Sequence, residues 1–160
     1  MATTLLETPT ELLHVQLKTA MTMEDDSLAA LAALEKAARS AKIKKMFRHH
    51  ADETKEQIEN LKRVFTLLEL KEATSPSPST KGISKQAESL LKKSADVLHD
   101  RVALAAALGN EHYEISAYQS LIIPVTAMGA SDVLTLLNAN LDQETHTSEE
   151  LKAELERISA

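Results

Sequence analysis

The sequence predicts an all-α protein folded as an antiparallel four-helix bundle with one long crossover connection. Ala, Leu, Glu and Lys dominate the 160 residues, and only three Gly and four Pro interrupt them, which favours helix throughout. Apolar residues recur at spacings of three and four along four long segments, the period of a buried helix face. A single Pro- and Ser-rich stretch divides these segments into two pairs, so the crossover is expected between the second and third helices.

Length, composition and net charge limit the class of protein and its possible partners. One domain over residues 1–160 is expected, because a chain of this length buries a sizeable core. The net charge of −6 argues against nucleic acid as a partner. With no Cys, disulfides and thiolate ligands are excluded, and a reducing, cytoplasmic location is expected. Met1–Thr4 lacks the features of a secretory signal, and no apolar run reaches the roughly 20 residues of a membrane span, so no membrane partner is expected.

The first long helix is predicted over residues 8–40. Thr8 is a suitable N-cap, and Pro9 suits the first helical position. Glu24 falls on the apolar stripe of this helix, where Leu or Ala would be usual. Asp26, two residues later, is expected on the solvated face.

The second helix is predicted over residues 42–71. His50, Glu53 and Gln57 interrupt its apolar stripe at spacings of three and four residues. Residues at these spacings are neighbours on one helix face, so the three polar side chains are expected to stack towards the core.

The crossover is predicted over about residues 72–99. Its first part, 73–82, is rich in Pro, Ser and Thr and is expected to be a loop, because this composition interrupts regular helix. A short extra helix is expected over 84–98, since connections of this length rarely lack structure of their own.

The third long helix is predicted over residues 100–128. Glu111, Glu114 and Tyr118 lie on its apolar stripe, so two carboxylates and a phenol are expected to face the core. Pro124 is expected to kink this helix or to loosen its last turn, because proline lacks an N–H and contacts the preceding turn.

The fourth helix is predicted over residues 131–158. Gly129 is a suitable C-cap for the preceding helix, and Ser131 is a suitable N-cap for this one. Glu144 lies on its apolar stripe, among leucines.

The spacing of these inward carboxylates relative to the two predicted turns places them at one level. Glu24 and Glu53 are equidistant from the first turn, and Glu114 and Glu144 are equidistant from Gly129. Residues equidistant from the turn of an antiparallel hairpin lie at the same height along the bundle. Five glutamates are therefore expected to converge in one layer: Glu24, Glu53, Glu111, Glu114 and Glu144.

A layer of this kind requires positive charge, because close carboxylates cannot all ionise without it. No Lys or Arg lies on the apolar stripes at that level, so a metal ion is the simplest source of this charge. Carboxylate oxygens with one imidazole, from His50, suit iron or manganese. Each glutamate alone also fits a residue at the rim of its stripe, and His50 also fits a core histidine bonded to a carboxylate. Gln57 and Tyr118 are expected to orient the carboxylates by hydrogen bonds.

The remaining candidate side chains are expected at the surface or in secondary packing. They lie off the stripes or diverge from the inward residues beside them: His49, His112, Tyr113 and His146.

The sequence resembles the YciF/YciE-like family of bacterial ferritin-like stress proteins over nearly its whole length. The resemblance rests on inward Glu24, on segment 50–61, on Glu-His-Tyr-Glu-Ile at 111–115 with Tyr118, and on segment 141–144. It implies a ferritin-like bundle similar to rubrerythrin and bacterioferritin, a di-iron-type site and a role in stress response. The usual Glu-x-x-His pattern is replaced, since Glu56 follows Glu53 and Thr147 follows Glu144 at that spacing.

These observations predict a protein that binds two metal ions, with iron as the first expectation and manganese as the second. Ferroxidase or peroxide-consuming activity is expected, with O2 or peroxide as the reactant. The alternative is a non-enzymatic helical bundle, an interaction or assembly protein with a vestigial metal site whose glutamates are protonated or hydrogen-bonded. A DNA-protecting mini-ferritin is disfavoured by the acidic balance. A homodimer is expected, because long helices with additional Leu and Ala often pair.

Overall fold

The computed structural model describes residues 5–160, and within this range it contains α-helices and no β-strand. The helices are α1 (Pro9–Ala37), α2 (Ala41–Leu67), α3 (Pro78–Lys93), α4 (His99–Met128) and α5 (Ser131–Ser159), with a 3₁₀ turn at Asp96–Leu98. The predicted all-α class is therefore confirmed. Met1–Thr4, on which the expectation about a secretory signal rests, lies outside the described residues.

The four long helices form a ring in which each packs against two neighbours. α1 contacts α2 and α4, and α5 contacts the same two helices. Short turns join α1 to α2 and α4 to α5. The backbone N–H groups of Arg39 and Ser40, after α1, donate to Asp100 at the start of α4, so α1 and α4 also run in opposite directions. The connection 68–98 therefore crosses the diagonal of the bundle, as predicted.

The apolar core consists of two clusters separated along the bundle axis. On α1, the buried apolar residues between 13 and 23 belong to one cluster, and Leu31 and Leu34 belong to the other. On α5, residues 133–137 belong to the first cluster and Leu151 to the second. The interval between the clusters contains buried polar side chains on every long helix. A polar layer therefore divides the core at the level where the inward glutamates were expected.

Some helices begin or end where the sequence predicted, and others do not. The Thr8 hydroxyl accepts from the Glu11 N–H at 3.2 Å, so the predicted N-cap is confirmed. α2 ends one turn earlier than predicted, because Glu69 adopts a left-handed conformation with φ of 54°. α4 continues through Pro124 to Met128, so this proline does not end the helix.

The turn between α4 and α5 has the predicted glycine but a different N-cap residue. Gly129 has φ of 70° and ends α4, which confirms the predicted C-cap. Ser131 does not cap α5; it is the first helical residue, and Ala130 occupies the N-cap position. The prediction for Ser131 was wrong because the chain re-enters helix immediately after the glycine.

The crossover helix begins earlier than its composition predicted. Residues 78–82 were expected in a loop, but α3 begins at Pro78 and ends at Lys93. Proline is compatible with the first turn of a helix, where its missing N–H has no intrahelical partner. The Thr80 hydroxyl contacts the Ser77 hydroxyl at 2.8 Å and so adds a local bond at the same end.

Asp26 holds the crossover helix against α1, so the prediction of a solvated side chain was wrong. Its carboxylate accepts from the Thr80 hydroxyl at 2.7 Å and from the Lys81 ammonium at 3.0 Å. The side chain is only 17% exposed. α3 packs on α1 and α4 and so covers one side of the bundle. No helix in residues 5–160 combines the length and the apolar character needed to cross a bilayer.

The Asp100→Ala substitution is expected to lower the free energy of unfolding by about 1 kcal/mol, the usual effect of losing a helix cap. Asp100 accepts from Arg39 N–H at 2.6 Å and Ser40 N–H at 3.1 Å, at the start of α2. Urea unfolding measures the effect, with Asp142→Ala on the exposed face of α5 as the matched control. An equal effect of both substitutions would contradict the capping role.

Candidate metal centre

Three glutamates from three helices meet inside the polar layer. Glu24 of α1, Glu114 of α4 and Glu144 of α5 each offer a carboxylate oxygen, and these atoms lie within 4.8 Å of one another. All three side chains are buried. The antiparallel packing of the helices thus brings together residues up to 120 positions apart in the sequence, between 24 and 144.

Glu111 belongs to the same layer. It lies one turn before Glu114 on α4, is buried, and contacts the Glu144 carboxyl group. Four of the five glutamates predicted to converge are therefore adjacent in the core.

Burial dominates the electrostatics of this layer. It raises the pKa of Glu24, Glu111 and Glu114 well above the usual range, and the nearby Glu144 carboxylate raises these pKa values further. Burial also raises the pKa of Glu144, although hydrogen bonds from Glu111, Gln57 and Glu114 oppose the shift. The metal-free layer therefore retains protons that exposed glutamates would have released.

Several oxygen atoms of the layer lack hydrogen-bond partners within residues 5–160. They are Oε2 of Glu24, Oε2 of Glu111 and Oε1 of Glu114, all buried. A buried acceptor without a partner costs about 1–3 kcal/mol. A cation between these carboxylates would satisfy all three atoms, and an all-oxygen donor set of this kind suits iron or manganese better than softer ions. The residues present therefore fit a metal centre.

Neutral donors hold two of these carboxylates in place. The Tyr118 hydroxyl donates to Glu24 Oε1 and accepts from the Asn140 amide at 2.9 Å. The Asn110 amide donates to Glu114 Oε2 at 3.1 Å. Tyr118 thus lies where the sequence predicted an orienting residue, whereas the two asparagines were missed. Asn110 precedes Glu114 by four positions, and Asn140 precedes Glu144 by four. This helical spacing is the signal that could have identified them.

Gln57 also lies where an orienting residue was predicted. Its side chain is buried and hydrogen-bonds to the Glu144 carboxylate. Its backbone carbonyl accepts from the Asn140 amide at 3.2 Å, which ties α2 to α5 beside the layer.

Glu53 and His50 lie at the rim of the layer, outside the group of three. Glu53 Oε2 is 3.0 Å from His50 Nδ1 and 3.3 Å from the Thr147 hydroxyl. Burial alone would raise the pKa of Glu53, but the hydrogen bonds from His50 and Thr147 and the closeness of the His49 and His50 rings lower it overall. Its charge in turn raises the pKa of Glu144, so the two carboxylates are neighbours.

A cleft leads from the surface towards the layer. It has a volume of about 470 Å³ and lies between α1, α3 and α4. Apolar side chains such as Leu31, Ile83 and Leu91 form its walls, and Asn110 and Glu111 are among the residues that line it. Small molecules can therefore approach the layer from the side covered by the crossover helix.

An antiparallel four-helix bundle with one crossover and inward glutamates from opposite helices is the arrangement of ferritin-like proteins. The chain belongs to the family described as "Domain of unknown function (DUF892)", whose model matches residues 8–160. Within it the chain is a YciF-like protein, so the resemblance inferred from the motifs is confirmed.

Known relatives match over most of their length. Protein YciF of Escherichia coli strain K12 is 29% identical over 120 residues, which cover 74% of this chain and 72% of that protein. The solved structure of the E. coli stress protein YciF has a TM-score of 0.88 at 26% identity and covers 94% of this chain and 96% of its own. YcfI from Rhodopseudomonas palustris has a TM-score of 0.90 at 27% identity, with coverages of 95% and 98%.

Proposed function

We propose that the protein is a ferritin-like di-metal protein that binds two iron ions, with manganese as the alternative metal, and consumes O2 or peroxide during stress. The observation that carries the proposal is the buried group of Glu24, Glu114 and Glu144, whose oxygens lie within 4.8 Å of one another. The similarity to E. coli YciF, which is described as a stress protein, supports the stress role.

Four glutamates of the layer are proposed to bind the ions, and two neutral side chains are proposed to orient them. Glu24, Glu114 and Glu144 supply ligand oxygens, and Glu111 supplies a further carboxylate beside Glu144. Tyr118 and Asn110 fix two of these carboxylates by hydrogen bonds. When bound, two ions held by flexible carboxylates supply oxygen- or peroxide-reducing chemistry, because such ions keep open coordination positions.

Glu53 remains a candidate ligand, and His50 is proposed to orient it. Glu53 lies beside Glu144 and is 18% exposed, so it stands between the layer and the solvent. His50 Nδ1 holds one of its oxygens at 3.0 Å. Binding of cations by the layer is expected to release protons, since ligand carboxylates must be ionised.

The Glu144→Ala substitution is expected to abolish iron retention by the layer, because Glu144 is the residue that links Glu24, Glu111 and Glu114. Iron is measured per chain after aerobic loading and gel filtration. Glu149→Ala, five residues later on the exposed face of α5, is the matched control and is expected to retain iron. Glu53→Ala tests the rim residue separately. Two iron ions per chain in the Glu144→Ala protein would refute the site.

A non-enzymatic assembly role is the second candidate, and the hydrogen bonds to Glu24 and Glu114 favour it. Tyr118 and Asn110 are neutral donors that satisfy part of the layer without any metal.

We also propose a homodimer, because large apolar side chains such as Val97 and Ile123 are exposed. Light scattering at the mass of two chains, with no metal bound after loading, would favour this candidate.

A further inference from the structure

A second group of metal-ligating side chains extends from the core to the surface, where α2 faces α5. His50 comes from α2, and His146 and Glu150 come from α5. His146 Nε2 is 3.5 Å from Glu150 Oε1, and His50 Nε2 is 3.8 Å from Glu150 Oε2. One carboxylate therefore lies between two imidazoles that belong to different helices.

His50 is the buried member of this group, and its Nε2 atom is unpartnered. The side chain is 3% exposed, and within residues 5–160 no hydrogen-bond partner reaches Nε2. The Glu150 oxygen at 3.8 Å is too distant for a hydrogen bond. A polar atom buried in this way is destabilising unless a ligand satisfies it.

Glu53 orients the His50 ring towards Glu150. Its Oε2 atom is 3.0 Å from His50 Nδ1. An ionised carboxylate only accepts hydrogen bonds, so Nδ1 carries a proton, and in the neutral imidazole Nε2 is then the atom whose lone pair is free for a metal ion. Histidines that bind metals commonly donate their other ring N–H to a carboxylate in this manner.

The two α5 residues are positioned to complete the site. His146 and Glu150 are four residues apart and therefore share one helix face. Their side chains are 65% and 43% exposed, so both have room to change rotamer. Ligand atoms bonded at about 2.0–2.2 Å to one ion lie roughly 3–4 Å apart, and each imidazole is at such a separation, 3.5 or 3.8 Å, from one Glu150 oxygen. The three ligand atoms do not all lie within 4.8 Å of one another, so the exposed His146 ring must turn towards His50 for the ion to bind.

We propose that His50, His146 and Glu150 bind one divalent first-row transition-metal ion at a surface site separate from the carboxylate layer. Two imidazoles and one carboxylate favour ions such as Fe(II) or Zn(II) over Mg(II) and Ca(II), and they leave positions open for water. The three ligands are not among Glu24, Glu111, Glu114 and Glu144, although His50 bonds to Glu53, the candidate ligand at the rim of the layer.

The site is tested by titrating the metal-free full-length chain with Co(II), which reports its ligands through visible absorption and paramagnetic NMR shifts. We expect the imidazole signals of His50 and His146 to shift together. His146→Ala and Glu150→Gln are each expected to weaken this Co(II) binding by about tenfold or more, since loss of even an outer partner of a metal site costs about 10–100-fold. Both residues are exposed, so the variants keep the core intact.

Glu149→Gln is the matched control, because it removes the same charge from the neighbouring exposed residue of α5. It is expected to bind Co(II) as tightly as the unsubstituted chain. Equal weakening by Glu149→Gln and Glu150→Gln would overturn the site, since it would indicate general attraction to negative charge. Unshifted imidazole signals would overturn it as well.

A Glu144→Gln protein separates this site from the proposed function. We expect its His50 and His146 signals to respond to Co(II) as before, although the layer has lost a ligand. Iron loading that fails in the unsubstituted chain while these signals still shift would refute the di-metal function and leave the surface site standing.

Discussion

Addition of Fe(II) or Mn(II) under anaerobic conditions is expected to raise the melting temperature of the metal-free protein. A ligand that binds only the native state stabilises it by about 2.7 kcal/mol at a hundredfold excess over Kd. For a domain of this size each kcal/mol corresponds to roughly 2–4 °C, so the expected rise is roughly 5–10 °C. Differential scanning calorimetry of the protein with and without metal measures it.

Substitutions in the layer identify the source of this stabilisation. Glu144→Gln is expected to remove most of the rise, because it replaces a shared carboxylate with a neutral amide. Glu149→Gln should leave it intact, and His146→Ala should remove only the part that the proposed surface site contributes. If neither metal changes the melting temperature of the unsubstituted chain, the buried glutamates form a structural hydrogen-bond network, and the non-enzymatic function is favoured.

The metal-free protein is expected to become less stable as the pH rises from about 5 to 8. Burial raises the folded-state pKa values of Glu24, Glu111, Glu114 and Glu144. The unfolded chain releases these protons near pH ~4.3, the reference pKa of Glu. Above that pH the folded state holds more protons than the unfolded state, so the free energy of unfolding falls until the raised pKa values are passed.

Glu154 has the opposite effect on the pH dependence of stability, and this effect occurs at acidic pH. Hydrogen bonds from Arg157, and then from Lys42, lower its pKa to about 2 against the effect of burial. Its stabilising contribution is therefore present above the unfolded pKa of ~4.3 and is lost as the pH falls through about 2. The metal-free protein should consequently be most stable in mildly acidic solution.

Urea unfolding at several pH values measures both effects. Glu24→Gln is expected to flatten the decline between pH ~5 and ~8, because it removes one raised pKa from the layer while its amide oxygen still accepts from Tyr118. Saturating metal should reverse the decline by favouring the ionised carboxylates. A stability profile of the metal-free protein that is flat from pH ~5 to ~8 would contradict the electrostatics of the layer.

The sequence by itself determined the helices, the crossover and the level of the polar layer. Apolar periodicity is a local property, so it identified four long helices and the inward faces that carry Glu24, Glu111, Glu114 and Glu144. The symmetry of an antiparallel hairpin about its turn then placed these residues at one height. The structure brings the four together between two apolar clusters.

Only the tertiary structure decided which way the side chains at the rim face. Glu53 lies on the predicted helix face, yet it bonds to His50 and Thr147 instead of joining the group of three. Asp26 binds Thr80 of the crossover helix, 54 residues later, so α3 is anchored by a contact that no local pattern encodes. The approach of His50 to Glu150 likewise depends on how α2 packs against α5. Helical period fixes the face on which a residue lies, whereas its rotamer and partner are set by packing between helices that are distant in sequence.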